Sequence, residues 1–137
     1  MTAFPWKESF SVHFEPMDLQ HRKIFDYMSA IHEAIESRLS EDELDEMLDR
    51  FDIYCKMHFF EEERLMEEVG FPDITDHRRQ HDLFVLHLER FRMERDKNHT
   101  EESSAAFTAI IEWFVRHILS LDKLYGAYIE KQAVIGD

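Results

Sequence analysis

Along residues 44–69 the apolar side chains Leu44, Leu48, Phe51, Cys55, Leu65 and Val69 recur at the alternating four-and-three spacing of a helix face turned toward a bundle core. The same spacing continued from Cys55 lands on His58 and Glu62, so a histidine and a carboxylate stand where the pattern reserves apolar residues. Burying them uncompensated costs free energy or forces them neutral. A metal ion in that core compensates both, since imidazole nitrogen and carboxylate oxygen are its ligands. The substitution recurs along the chain. His21 falls on the seam of Met17, Ile24, Met28, Ile31 and Ile35, His77 and His81 on that of Ile74, Phe84, Leu88 and Phe91, and His117 on that of Phe107, Ile110, Phe114, Leu121, Leu124 and Tyr128.

Residues four apart on a helix point about 40° from one another, which makes His58/Glu62 and His77/His81 chelating pairs. With 30 acidic residues among 137, either pair alone is a weak signal. Their common height in the fold carries more weight. The seams predict four helices, at about 17–39, 41–69, 74–96 and 101–132, preceded by an extended arm over about 1–16. Pro16 suits the first turn of the first helix, Ser40 with Glu43 a capping box for the second, Gly70-Phe71-Pro72 its end, and Asp73 or Thr75 the cap of the third. Short connections make neighbours antiparallel, hence an all-α, up-down-up-down four-helix bundle. The starts of helices one and three and the ends of two and four then share one end of the bundle, and every seam histidine lies in that half. Separately hydrogen-bonded core histidines would not be expected to converge so.

The remaining chemistry is plainer. Three glycines and three prolines in one 137-residue domain agree with an all-helical chain that needs no staples. Sixteen basic against 30 acidic residues, a formal charge of -14, repel phosphate backbones and anionic lipid, so neither nucleic acid nor membrane is an expected partner. No signal-peptide core or membrane-length apolar run is evident, and the single Cys55 suits a reducing compartment, so a cytoplasmic monomer is expected, with Cys55 as core filler. His13, His32, His87 and His99 fit no shared seam and read as surface or locally bonded residues. Asp18 reads as a cap of helix one. Asp122 stands next to Leu121 on a neighbouring stripe with Ile118 and Tyr125, about 140° from His117 on an ideal helix, and spacing does not mark it as a ligand.

The order Asp18-x-x-His21, His58-Phe59-x-x-Glu62-Glu63-x-x-Met66, Gly70-Phe71-Pro72, His77-x-x-x-His81 and Trp113-x-x-x-His117-Ile118-x-x-x-Asp122-Lys123 closely resembles the bacterial hemerythrins over essentially the whole chain, Trp6 of the arm included. One departure is His13, where the family's arm usually has glycine. The resemblance implies two iron ions per chain, one held by His77, His81 and His117 and the other by His21 and His58. Glu62 and Asp122 bridge them together with an oxo or hydroxo group, and dioxygen binds at the open position of the two-histidine iron. It further implies a non-enzymatic carrier, reversible in its oxygen binding, for storage or delivery to an oxygen-consuming enzyme. No histidine here has Glu three residues before it, unlike the carboxylate-rich sites of oxygen-activating bundle enzymes. An oxygen or redox sensor, and a diiron oxidase, peroxidase or nitric oxide scavenger, are the competing readings. Phe25, Phe59, Phe84, Trp113 and Phe114 lie within a turn of these residues, either as a dry wall around the bound oxygen or as ordinary core.

Overall fold

The computed structural model describes residues 4–95 and 99–136. Four long helical segments follow the arm: α1 (Glu15–Glu36), α2 (Glu41–Glu68), α3 (Ile74–Glu94), and a last segment made of α4 (Thr100–His117), a π-helical turn (Ile118–Asp122) and α5 (Lys123–Gly136). Among the described residues there is no strand. α1 packs on α2 and α4, and α3 packs on α2 and α4, so the helices form a four-cornered antiparallel bundle. The last segment is long and apolar enough to cross a bilayer by length and composition. Its apolar stripe of Phe107, Ile110, Ile111, Phe114 and Ile118 is instead buried in the bundle.

Helix ends account for the differences from the sequence expectation. α1 begins two residues early because Pro16 fits its first turn behind Phe14. It stops at Glu36 rather than 39, because Arg38 turns left-handed (φ 54°) and the Leu39 N–H bonds back to the Ala34 carbonyl at 3.0 Å. Ser40 accepts from the Glu43 N–H and opens α2. Gly70 (φ 70°) closes it, with the Phe71 N–H on the Met66 carbonyl at 2.9 Å. Asp73 occupies the position before α3 but makes no side-chain cap bond. The expected third connection, through Lys97 and Asn98, falls mostly outside the described residues.

The arm is not wholly extended. Glu8–Phe10 forms a 3-10 turn that lays Phe10 flat on Phe25, ring centroids 5.1 Å apart, with Trp6 edge-on to both. Asp18 does not cap α1. Its carboxylate accepts from Ser11 Oγ at 2.6 Å and from the Val12 N–H at 2.9 Å, clamping the arm to the helix. Val12 is buried against α5, where a Cβ on Gly126 would stand 2.3 Å from the Val12 carbonyl oxygen. Only a residue without a side chain lets the arm lie that close.

In the half of the bundle away from the histidines, Met28, Ile31, Leu48, Phe51, Leu88 and Phe107 are fully buried and the core is apolar. The predicted seams of α1, α2 and α3 are buried apart from the half-exposed Leu65, Val69 and Ile74, with Met66 taking the place of Leu65. The seam of the last segment changes stripe. Leu124 is exposed and Leu121 and Tyr128 are half-exposed, while Ile118, Asp122 and Tyr125 are buried.

Candidate metal centre

That change of stripe begins at the π turn. An α-helix comes round in 3.6 residues, so the fifth residue after His117 should point elsewhere. A π turn closes its bonds five residues on and returns the fifth residue to the same face. Residues 118–122 form such a turn, and it carries Asp122 inward beneath His117. The structure thus brings all seven predicted polar residues together: His21 from α1, His58 and Glu62 from α2, His77 and His81 from α3, His117 from α4, and Asp122. All are buried.

The two carboxylates divide the histidines between them. Glu62 Oε1 lies 2.9 Å from His81 Nε2 and 3.5 Å from His77 Nε2, and its Oε2 lies 3.2 Å from His21 Nε2 and 3.3 Å from His58 Nε2. Asp122 Oδ1 lies 2.8 Å from His77 Nε2 and 3.0 Å from His117 Nε2, and its Oδ2 lies 3.3 Å from His21 Nε2. Each carboxylate therefore turns one oxygen to the group of three histidines and the other to the group of two. Two clusters of ligating atoms result, Glu62/His77/His81/His117/Asp122 and His21/His58/Glu62, sharing Glu62.

Proximity does not satisfy these groups. Glu62 Oε1, Asp122 Oδ2 and the Nε2 atoms of His58, His81 and His117 are buried without a hydrogen-bond partner. Orphaned polar atoms on this scale are costly in a core, and several are aimed at one another across short gaps. The donor set fits two metal ions of the class served by imidazole and carboxylate.

Without cations, protons carry the charge balance. Burial lowers the pKa of His21 and of His77, but hydrogen bonds and attraction from Asp122 and Glu62 outweigh it and raise each to about 9. His81 is raised against its burial in the same way, by Glu62 and Glu63, whereas burial prevails at His58 and lowers it. Burial pushes Glu62 and Asp122 upward. The surrounding histidines nonetheless hold Glu62 well below the carboxylate range and Asp122 below it as well. Tyr125, buried beside both carboxylates, is raised well above its ordinary value and keeps its proton, which it donates to Glu62 Oε2 at 2.7 Å.

A second layer orients the rings. His58 Nδ1–H donates to Gln20 Oε1 at 2.7 Å, and the Gln20 amide is held by Glu61. His81 Nδ1–H donates to Glu63 Oε2 at 2.8 Å, and Glu63 Oε1 accepts from Arg78 Nε at 3.2 Å. Such partners fix the tautomer and leave Nε2 free to ligate. Among the predicted aromatics, Phe59 stacks on His81 (4.1 Å, 14°), Trp113 stacks on His117 (5.0 Å, 10°), and Phe114 meets His21 edge-on (6.0 Å). Phe25 and Phe84 stand one ring further out, Phe25 against Phe114 and Phe84 against Phe59, Trp113 and Phe114. No role for Gln20, Glu63 or Tyr125 is legible in the sequence, although Glu63 stands in the motif around Glu62 and Tyr125 on the stripe of Asp122. The first two flank seam residues and act across a helix pair, and Tyr125 enters the core only because the π turn shifts the stripe.

Residues 12–129 match the family of hemerythrin HHE cation binding domains. The bacteriohemerythrin of Clostridium acetobutylicum is 27% identical over 126 residues, covering 89% of this chain and 98% of that protein. The hemerythrin-like protein of Naegleria gruberi is 33% identical over 124 residues, covering 90% and 92%. A crystal structure of wild-type hemerythrin superposes with a TM-score of 0.79 at 26% identity, covering 91% of this chain and 96% of that one.

Proposed function

Because the chain belongs to the hemerythrin family, whose members bind a pair of irons, we propose that it binds dioxygen reversibly at that pair and serves as an oxygen store or a carrier to oxygen-consuming enzymes. The observation that supports this reading is the division of Glu62 and Asp122 between a group of three histidines and a group of two. When bound, the irons supply the electrons that dioxygen takes up and returns.

The chain's own residues do the rest. His77, His81 and His117 with both carboxylates would hold one ion, and His21 and His58, sharing those carboxylates, would give the other fewer protein donors and so a position for an external ligand. Phe114 borders the His21 and His58 side through its edge contact with His21, and Phe25 and Phe84 back it, excluding water that would carry protons in. Tyr125 donates its proton to Glu62 Oε2, the oxygen turned toward His21 and His58, and fixes the carboxylate on that side. Histidine-rich ligation suits binding without turnover, whereas bundle enzymes that activate oxygen draw on more carboxylates.

Iron content and the visible spectrum of anaerobically reduced protein, recorded before oxygen, after oxygen and after its removal, test the reading. Two irons per chain and a charge-transfer band that appears and then disappears are expected. Oxygen uptake that leaves the centre permanently oxidised would refute the carrier and move the assignment to an oxidase or a redox sensor.

A further inference from the structure

Between α3 and α4, on the outside of the bundle, lies a groove of about 360 Å³. Phe84, Phe91, Ile110 and Trp113 line it, and it stays open where α4 carries only Ala106 and Ala109. The antiparallel register is given by Phe84 against Trp113 (5.2 Å) and Phe91 against Phe107 (5.4 Å). Arg116, one turn beyond Trp113, therefore stands at the metal-centre end of the groove, with His87 between the ends and Arg90 and Glu94 toward the other.

The two arginines of the groove, like Arg38 elsewhere, stand without a carboxylate partner among the described residues. Acidic residues outnumber basic ones by 30 to 16, and arginines are generally paired, Arg22 with Glu8, Arg50 with Glu46 and Arg95 with Glu41 among them. Among the described residues Arg90 and Arg116 pair with no carboxylate, and both line the same apolar groove.

We propose that this groove binds a small apolar monocarboxylate, its hydrocarbon body on Phe84, Ile110 and Trp113 and its carboxylate held by Arg116 and His87, away from Glu94. The volume suits a small ligand. Guanidinium meets carboxylate through paired N–H donors, which selects the anion, and the aromatic lining selects against inorganic anions that have no apolar body. An acidic macromolecule would meet the repulsion of the whole -14 surface, which a single small charge largely escapes. The bound body would cover the open face of Trp113, whose ring stacks on His117.

The test titrates the iron-loaded full-length chain with octanoate and with 1-octanol, followed by calorimetry and tryptophan emission. Octanoate should bind saturably, one per chain, with a change in emission, and 1-octanol about tenfold more weakly or worse. The double variant His87→Gln/Arg116→Gln should weaken octanoate by about tenfold or more. Ala109→Trp, which fills the groove from an exposed position, should abolish binding. If Ala109→Trp does not fold, the double variant and the octanol comparison decide. Absence of saturable octanoate binding, equal affinity for 1-octanol, or unchanged affinity in the double variant would each overturn the proposal. So would binding of poly-glutamate without octanoate binding, which would give the groove to a macromolecule.

Discussion

Glu62 can touch four imidazoles because each of its oxygens faces a different pair, and what keeps those imidazoles in place is one layer further out. Glu63 is the clearest case. It is half-exposed, one residue from Glu62 on a different face of α2, and it accepts the His81 Nδ1–H while Arg78 holds it. Glu63→Ala should leave a capacity of two irons per chain but weaken retention by about 10–100-fold, the usual cost of losing a partner behind a metal-bound histidine. Competition against a chelator measures it, and unchanged retention would reduce Glu63 to a surface residue. At the other extreme of consequence is His13, exposed, in a left-handed conformation (φ 60°) that favours glycine, with its ring 3.9 Å from Glu130. The strain of a β-carbon there exceeds what an exposed histidine–carboxylate contact returns. His13→Gly should stabilise the protein by about 1 kcal/mol in urea unfolding; a loss would mean the ring holds the arm.

Among elements, the π turn decides whether the site is complete. The histidines and Glu62 could be read from sequence because they replace apolar residues in seams of ordinary helical period, and α1, α2 and α3 keep that period through the site. Asp122 could not, since the rule of 3.6 residues per turn fails between His117 and Asp122, and only resemblance pointed to it. The same failure put Leu124 on the expected seam, where the structure exposes it, and hid Tyr125. Gln20 and Glu63 were illegible for another reason: their partners lie 38 and 18 residues away on other helices, and no local pattern encodes such contacts. Inserting one alanine after the exposed Ser120 adds a residue beyond the one the turn already absorbs and should rotate Asp122 and Tyr125 by about 100° out of the core. The variant should keep its helical circular dichroism and bind fewer than two irons. Full iron loading in the insertion would show that another register restores the site and that the wide turn does not decide it.

Across the whole molecule the bundle joins an apolar half, which holds itself together, to a polar half whose stability depends on what cancels its charge. In the metal-free protein that role falls to protons. His21 and His77 titrate at about 9 against an ordinary 6.5, so their contribution is fully present below pH 6.5 and is lost as pH rises toward 9. Glu62 and Asp122 are held below their ordinary values of 4.5 and 3.8, so their contribution is present above those values and fades as pH falls. His58, which burial lowers from 6.5, adds a contribution present above that value and lost as pH falls, so metal-free protein should be most stable near pH 6.5, and its urea midpoint should fall on the alkaline side while that of the metal-loaded protein stays level. Loading metal at pH 7.5 must then expel the protons that His21 and His77 hold, about two per chain, since only neutral imidazole ligates. Calorimetry of metal binding in buffers of different ionisation enthalpy counts them. A count near zero, together with a flat alkaline stability profile, would mean that the buried histidines are already neutral and that the carboxylates' charge is cancelled by something other than protons.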